Sequence, residues 1–247
     1  MECVERGLID EPWLRFGDGT AVLRALDAIG ERAPGLGELL AQGSRHAAGV
    51  VGGNSIDFAP QVKGLELPGY EPRTLQAMAL GMAVNARGAD HNRSGAYEAD
   101  MSGAVDRLDG GEAHVEAAIG TEDRAAVMDS MILCKFLRGV FDDPFTEWAA
   151  LLSSVTGWDI DAAELHSTAQ RIVMAKRVFN QREGATAADD RLPARMLETP
   201  LEMASGRVAS LTASRLQAMI DGYYAARGLD ESGCADPADL DDLLLGQ

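Results

Sequence analysis

The apolar residues of this chain recur at helical spacing along most of its length. Segments with apolar positions three and four residues apart are residues 21–29, 36–50, 74–86, 162–182 and 211–227. Such spacing places apolar side chains on one face of a helix, so each segment is predicted to be a helix. Two of them stop at Gly184 and Gly228, as helices often do. The predicted fold class is all-α and multihelical.

Further helix boundaries are marked by single residues. Asp143 and Asp236 each precede a proline, which places an N-cap acceptor before a residue suited to the first helical position. Residues 1–6 resemble the end of a helix that stops at Gly7. A chain that opens in this way is predicted to be cut from a longer one; a misassigned start or a split gene would look the same. Residues 62–67 are predicted to be a short extended piece.

Three stretches interrupt the helical pattern. Residues 52–72 carry glycine and proline and separate an N-terminal pair of helices from the rest. Residues 90–112 are polar and glycine-rich, and they are predicted to form one long loop, a feature that in compact domains is usually functional or disordered. Residues 185–202 are predicted to be a second irregular connection.

Composition excludes several classes of protein. No apolar run approaches the roughly 20 residues of a membrane span, and residues 1–6 lack the apolar core of a secretory signal, so a cytoplasmic protein is predicted. The net charge of −17 excludes nucleic acid as a partner, because phosphates require a basic face; generally acidic proteins of the source organism would explain the charge equally well. The cysteines Cys3, Cys134 and Cys234 are too scattered to indicate a disulfide framework.

Several blocks, taken in order, resemble the C-terminal region of the aldehyde ferredoxin oxidoreductase family. They are residues 62–73, 78–83, 85–91, 129–136, 179–184, 189–195 and 223–230. The resemblance covers the whole chain. It implies a family fold in which a β-rich cofactor domain precedes two helical domains, so that residues 1–60 are the end of the first helical domain and residues 61–247 are the second.

The same resemblance implies roles for residues 129–134, Asp-Ser-Met-Ile-Leu-Cys. The family motif is D-x-x-G-L-C, in which Cys134 would be one of the four thiolates that hold a 4Fe–4S cluster; the other three would lie in the N-terminal domain. Asp129 would hold a pterin ring, with backbone groups near Leu133 assisting. Ile132 departs from the glycine of the motif, which puts close packing against the cofactor in doubt. A buried structural cysteine and a surface carboxylate are the alternatives.

His91 follows the block Asn-Ala-Arg-Gly-Ala-Asp, where the family has a histidine near the metal. The resemblance implies that His91 passes protons during aldehyde oxidation, for which imidazole is suited. A solvated loop histidine is the alternative. The remaining charged residues that the blocks contain are predicted to form ion pairs and caps: Glu66, Arg73, Arg182, Glu183, Asp189, Asp190 and Arg195.

The leading hypothesis is the C-terminal part of a tungsten- or molybdenum-bispterin enzyme that oxidises an aldehyde to a carboxylic acid and passes electrons to ferredoxin. It implies a separate N-terminal cofactor-binding domain or subunit as partner, a small aldehyde as substrate, and no activity for the isolated chain. The rival hypothesis is a non-catalytic helical assembly module or a decayed remnant of the family. The metal and the aldehyde stay open, since relatives act on formaldehyde, sugar-phosphate aldehydes or aromatic acyl-thioesters. An apolar face left by the cut is predicted to cause self-association.

Overall fold

The computed structural model describes residues 1–235. These residues form α-helices joined by turns, with two small antiparallel hairpins, which confirms the all-α prediction. The helices are α1 Glu2–Glu5, α2 Gly19–Gly30, α3 Leu36–Leu40, α4 Ser44–Val51, α5 Gln76–Val84, α6 His91–Ser94, α7 Tyr97–Ser102, α8 Glu112–Ser130, α9 Pro144–Thr156, α10 Ala162–Arg182, α11 Ala194–Glu198 and α12 Ala213–Ala226. The strands are β1 Gln61–Val62, β2 Leu65–Glu66, β3 Leu201–Glu202 and β4 Val208–Ala209.

The helices with clear periodicity and caps lie close to their predicted positions. Helix α10 has the predicted bounds, and the Asp161 side chain accepts the backbone N–H of Glu164 at its start. Helix α9 begins at Pro144 as predicted, but the Asp143 side chain forms no cap hydrogen bond. Instead the backbone N–H of Asp143 donates to the Glu147 carboxylate at 3.0 Å. The helix start predicted at Asp236 lies outside the described residues.

The single helix predicted for residues 36–50 is wrong, because two helices, α3 and α4, occupy that segment. Gly43 separates them with φ +88°, a left-handed conformation that favours glycine. With no side chain at the N-cap, α4 receives its cap from the hairpin instead. The Glu66 carboxylate accepts the Ser44 backbone N–H at 2.8 Å and the Ser44 hydroxyl at 3.1 Å.

The long loop predicted for residues 90–112 is also wrong, since it contains the short helices α6 and α7. Asp90 caps α6 by accepting the backbone N–H groups of Asn92 and Arg93. Helix α6 packs closely on α5 at Gly81, where an added Cβ would lie 2.0 Å from the Ser94 hydroxyl oxygen. Glycine at this point in α5 therefore determines where α6, and with it His91, lies.

Helix α8 runs through the centre of the described structure and contacts α5, α6, α10 and α12. It buries polar side chains as well as apolar ones, among them Glu122 and Asp123. The Arg227 guanidinium of α12 contacts both carboxylates, at 2.8 Å and 2.7 Å, and the Tyr223 hydroxyl donates to Glu122 at 2.6 Å. These buried charges are paired, as burial requires. Because charged residues occupy buried positions of α8, the segment lacks the apolar spacing by which a helix is predicted from sequence.

A second buried ion network connects the β1–β2 hairpin to the helices. The Lys63 ammonium contacts Asp190 at 2.6 Å and donates to the backbone carbonyl oxygens of Ala83 and Asn85, where α5 ends. Arg177 pairs with the same Asp190 carboxylate at 2.8 Å. A structural role for Asp190 is therefore confirmed.

The other charged residues assigned to ion pairs and caps follow the same pattern where the structure gives them contacts. Asp189 accepts the Thr186 backbone N–H, Arg195 pairs with Glu2, and Arg73 pairs with Glu71. Arg195 joins residues 185–202 to α1 through Glu2, and Arg73 also donates to the Thr199 backbone carbonyl at 2.6 Å, so these two residues hold the segment against the remainder of the fold. The contact of Asp189 with Thr186 is local to the segment.

Within the part of the chain that the structure describes, the apolar core has two clusters, both formed by residues beyond 60. The larger one joins α5, α8 and α12 around Met78, Leu80 and Tyr223, and the smaller one joins α8, α9 and α10 around Trp148. The predicted domain boundary at residue 60 stays a prediction.

Helix α2 presents an exposed apolar face that includes Leu23 and Leu26, which are 64% and 56% exposed. Within residues 1–235, no helix combines the length and apolar character needed to cross a membrane.

Candidate cofactor-binding face

The C-terminal end of α8 carries the residues that the sequence singled out. Met128 and Asp129 occupy its last turn, and the chain then reverses through Ile132, whose φ is +58°. The backbone N–H of Leu133 donates to the Met128 carbonyl at 2.8 Å, and that of Ile132 donates to the Asp129 carbonyl at 3.3 Å. This is the Schellman arrangement, in which the left-handed position normally holds glycine. Ile132 thus adopts the glycine conformation at the position where the family motif has glycine.

Cys134 follows this turn and is exposed, with a free thiol. The two large apolar residues that flank it are almost fully solvent-accessible: Ile132 is 91% exposed and Phe136 is 93% exposed. We call the surface formed by Ile132, Cys134 and Phe136 the Cys134 surface. No group of three or more His, Cys, Asp or Glu side chains in residues 1–235 is arranged to hold a metal. Cys134 is therefore accessible to a partner, and the described residues place too few other ligands near it to hold a metal.

Asp129 is the anion of a small charged group on the same face. Its carboxylate pairs with the Arg93 guanidinium and, through the other oxygen, with the Lys135 ammonium at 3.0 Å. Arg93 comes from α6, and Lys135 from the turn after Cys134. Since about four lone-pair positions are available on a carboxylate, Asp129 can accept further hydrogen bonds.

His91 begins α6 and lies partly buried beside two tyrosines. Its ring centroid is 5.3 Å from that of Tyr70 and 6.0 Å from that of Tyr97, and the two tyrosine rings stack at 4.9 Å. Within the described part of the chain, its ring nitrogens form no side-chain hydrogen bond or ion pair. The His91 imidazole is thus held by aromatic contacts, and its two nitrogens have no side-chain partner among the described residues.

Arg138 connects the His91 region to the Cys134 surface. Its guanidinium donates to the Lys135 carbonyl at 3.0 Å, to Glu98 at 2.7 Å and to Asn92 at 3.4 Å, and it lies 5.3 Å from the Tyr97 ring centroid. Asn92 is next to His91, and Lys135 is next to Cys134. The structure therefore brings α6 and the cysteine turn together on one face.

The sequence did not indicate the cations on this face. Arg93, Lys135 and Arg138 all contribute, and a cleft of about 490 Å³ between α5, α8 and α10 adds Lys176. Lys135 directly follows the predicted site residue Cys134 in the chain, and Arg93 is two residues from His91, so these two cations were within reach of a sequence-based prediction. Lys176 lies in the middle of α10, and its place in the cleft depends on how the helices pack.

The described residues form a multihelical domain, and one face of it carries the Asp129 carboxylate and the free Cys134 thiol beside exposed apolar side chains. The sequence matches the family described as "Aldehyde ferredoxin oxidoreductase, domains 2 & 3" over residues 1–245. The chain belongs to the aldehyde ferredoxin oxidoreductase family.

Two relatives in this family carry the same name, and this chain matches a similar share of each. Tungsten-containing aldehyde ferredoxin oxidoreductase of Pyrococcus furiosus is 32% identical over 258 residues, which cover 100% of this chain and 41% of the relative. The enzyme of the same name from Thermococcus kodakarensis is 31% identical, over 94% of this chain and 39% of the relative. The chain thus spans about two fifths of the length of these relatives.

A solved structure described as the active site complex BamBC of benzoyl coenzyme A reductase in complex with 1,5 dienoyl-CoA aligns with a TM-score of 0.67. The alignment covers 99% of this chain and 42% of that chain at 19% sequence identity. At this identity the likeness shows a shared fold.

Proposed function

We propose that this chain is the helical part of a tungsten- or molybdenum-bispterin aldehyde:ferredoxin oxidoreductase and acts together with an N-terminal cofactor-binding domain or subunit. The reaction adds an oxygen from water to an aldehyde, yields a carboxylic acid, and releases protons and an electron pair that pass through a 4Fe–4S cluster to ferredoxin. Family membership supports the reaction class. The observation that carries the proposal is the Cys134 surface, on which an exposed thiol lies between two exposed apolar side chains.

Cys134 would supply one thiolate to the cluster. A cluster usually needs four cysteine ligands, and Cys134 is the only cysteine on this face among the described residues. The remaining ligands must therefore come from outside it. A partner that brings them would also cover Ile132 and Phe136, whose exposure in an unaccompanied chain is unfavourable. The thiol, its accessibility and its apolar surroundings fit a ligand completed by another domain.

Asp129 and Leu133 would hold the pterin. Pterin edges are rich in N–H donors, which a carboxylate accepts strongly. The Leu133 N–H is already donated to Met128, so Leu133 would offer its carbonyl oxygen. Arg93 and Lys135 fix the Asp129 carboxylate and offset its charge. The residues present therefore fit the edge of a pterin.

When bound, the bispterin metal supplies the oxygen-transfer and electron-accepting chemistry. His91 would take up a proton released during the oxidation and return it to solvent, because its ring nitrogens have no other partner in residues 1–235. The stacked pair of tyrosine rings beside it would keep the imidazole in place.

The test is co-expression of this chain with an N-terminal cofactor domain of the family, followed by purification and an assay of aldehyde-dependent ferredoxin reduction. We expect a complex that contains tungsten or molybdenum, and activity in the complex but not in the chain alone. His91→Gln should lower kcat by roughly 100-fold or more, the contribution of one general acid–base group. His46→Gln alters an exposed histidine elsewhere in the chain and should leave kcat unchanged. A metal-containing complex with no aldehyde oxidation would contradict the proposed reaction.

One observation favours the rival, a non-catalytic helical module. Ile132 keeps a branched side chain, 91% exposed, at the position where the family motif has glycine, and this side chain projects from the face that a cofactor would approach. A module that no longer packs against a pterin would tolerate it. In that case the co-expressed complex would form without any group 6 metal.

A further inference from the structure

A small cavity lies between α8, α9 and residues 135–139, and its volume is about 40 Å³. A single water molecule needs roughly 10–15 Å³, and sites for organic molecules usually have roughly 300–1,000 Å³. The cavity therefore has room for a small ion or a few water molecules, but not for an organic ligand. Its wall includes the side chains of Trp148, Arg124, Arg138 and Glu98, and we call it the Trp148 cavity.

Trp148, in α9, has a hydrogen-bond donor that is not used within the fold. Its indole N–H is buried and has no partner among the described residues. The residue is only 2% exposed, so bulk solvent does not reach it. An indole nitrogen can only donate, and a buried donor without an acceptor is unfavourable. Trp148 therefore has a hydrogen bond to give to an acceptor that residues 1–235 do not supply.

Cations outnumber carboxylates around the Trp148 cavity. Its lining cations are Arg124, Lys135 and Arg138, and Glu98 is the carboxylate that the described residues place in the lining. Lys135 pairs with Asp129, which lies outside the lining, so Arg124 and Arg138 share Glu98. When each of the two carboxylates is matched with one cation, one positive charge is left over. This local excess occurs in a chain whose net charge is −17.

Glu98 holds its two arginines unequally. The Arg138 guanidinium donates to Glu98 Oε1 at 2.7 Å and also to the Lys135 backbone carbonyl and the Asn92 side chain. The Arg124 guanidinium lies 3.5 Å from Glu98 Oε2 and donates no hydrogen bond to any residue in the range 1–235. Arg124 is therefore the cation that can donate to a further acceptor in the cavity.

An anion suits these groups better than a water molecule does. Water would accept from the indole N–H, but it would add two donors and no charge to a site that already has too many donors. A monovalent anion accepts several hydrogen bonds, donates none and offsets the excess positive charge. Hydrogen bonds from a guanidinium to an anion are also stronger than those between neutral groups.

We propose that the Trp148 cavity binds one inorganic anion of the size of chloride, with the Trp148 indole N–H and the Arg124 guanidinium as its donors. The ion would fix residues 135–139 against α8 and α9. The inference goes beyond the proposed function and does not depend on it, because the residues that form the cavity all belong to this chain.

The test is urea unfolding of the full chain in mixtures of sodium chloride and sodium gluconate at constant ionic strength, since gluconate is too large for the cavity. We expect chloride at ten times its Kd to lower the equilibrium constant of unfolding about elevenfold. On a double-logarithmic plot against chloride concentration, the slope should approach about −1, the value for one bound ion. An unfolding constant that stays the same as chloride replaces gluconate would overturn the inference.

Variants locate the effect in the cavity. Arg124→Gln should raise the Kd for chloride at least about tenfold, the loss of one charge-assisted hydrogen bond. Trp148→Phe keeps an aromatic ring in the core but removes the N–H, and it should also raise this Kd. Arg182→Gln removes an exposed cation from α10, away from the cavity, and should leave the Kd unchanged. Chloride dependence that is the same in Arg124→Gln, Arg182→Gln and wild type would overturn the inference.

Bromide provides a readout that needs no variant, because it resembles chloride in size and charge and scatters X-rays anomalously. Crystals of the chain soaked in sodium bromide should show an anomalous difference peak in the Trp148 cavity, within hydrogen-bond distance of the indole nitrogen. Bromide that binds only at exposed arginines, or water alone in the cavity, would overturn the inference.

Discussion

Replacing Ile132 by glycine should stabilise this protein, although almost every substitution of a large apolar residue by glycine does the opposite. Ile132 has φ +58°, a conformation in which the Cβ atom of an L-residue crowds the following carbonyl oxygen at a cost of about 1–2 kcal/mol. The side chain is 91% exposed, so its removal sacrifices little buried apolar surface. The penalty and the exposure together make this position exceptional.

Glycine also has an unfavourable effect, because it raises the conformational entropy of the unfolded chain and so lowers the free energy of unfolding by about 0.4–1 kcal/mol. The expected net gain in the free energy of unfolding is therefore about 0.5–1 kcal/mol. For a chain of this size, about 1 kcal/mol raises Tm by roughly 2–4 °C. Thermal unfolding of Ile132→Gly should thus show a Tm higher than wild type by about 1–4 °C.

Ile132→Ala provides the matched control. Alanine removes the exposed side chain but retains the Cβ atom, and with it most of the left-handed penalty, so its free energy of unfolding should stay within about 0.5 kcal/mol of wild type. If Ile132→Gly is no more stable than Ile132→Ala, backbone strain at the end of α8 is not the relevant energy, and the reasoning fails.

Other predictions concern caps, buried charges and association. Glu66→Ala should cost about 1 kcal/mol at neutral pH as a lost cap of α4. Hydrogen bonding from the α4 backbone lowers the pKa of Glu66, so Glu66 stabilises the fold fully above its unfolded-state pKa and loses this effect as the pH falls through its folded-state pKa. The difference in free energy of unfolding between Glu66→Ala and wild type, measured by chemical unfolding, should therefore shrink as the pH is lowered. A difference that does not change with pH would contradict this. Arg227→Met should cost about 3–5 kcal/mol by leaving Glu122 and Asp123 buried without their cation, and a cost below about 1 kcal/mol in the same assay would refute it. Leu23→Glu places a charge on the exposed apolar face of α2 and should reduce concentration-dependent self-association in sedimentation velocity. A wild-type chain that stays monomeric at all concentrations would contradict the prediction that this face drives association.

The sequence predicted those helices whose stability depends on local features. Helix α10 is periodic and has a capping aspartate, and it was located with its correct ends. Helix α8 was not located, because its buried Glu122 and Asp123 obtain their partner from α12, which is distant in the chain. The loop predicted for residues 90–112 was wrong for a related reason, since α6 depends on packing against Gly81 of α5.

In the candidate site too, groupings that are local in the chain could be predicted, and contacts between different helices could not. Asp129, Leu133 and Cys134 lie within one turn at the end of a helix, so their grouping follows from the chain itself. The contact between Asp129 and Arg93 joins two helices, and the position of Lys176 beside them requires a third. The sequence contained these cations but gave no indication that they meet.

The most direct test of the central claim, that Cys134 completes a cluster shared with another domain, is the iron content of the complex with an N-terminal cofactor domain. Iron per complex would be measured for wild type, Cys134→Ser and the control Cys3→Ser, which alters a cysteine outside the Cys134 surface. We expect about four iron atoms per complex in wild type and Cys3→Ser, and a marked loss of iron in Cys134→Ser at unchanged complex formation. Iron retained in full by Cys134→Ser, with an unaltered electron paramagnetic resonance spectrum of the reduced cluster, would contradict it.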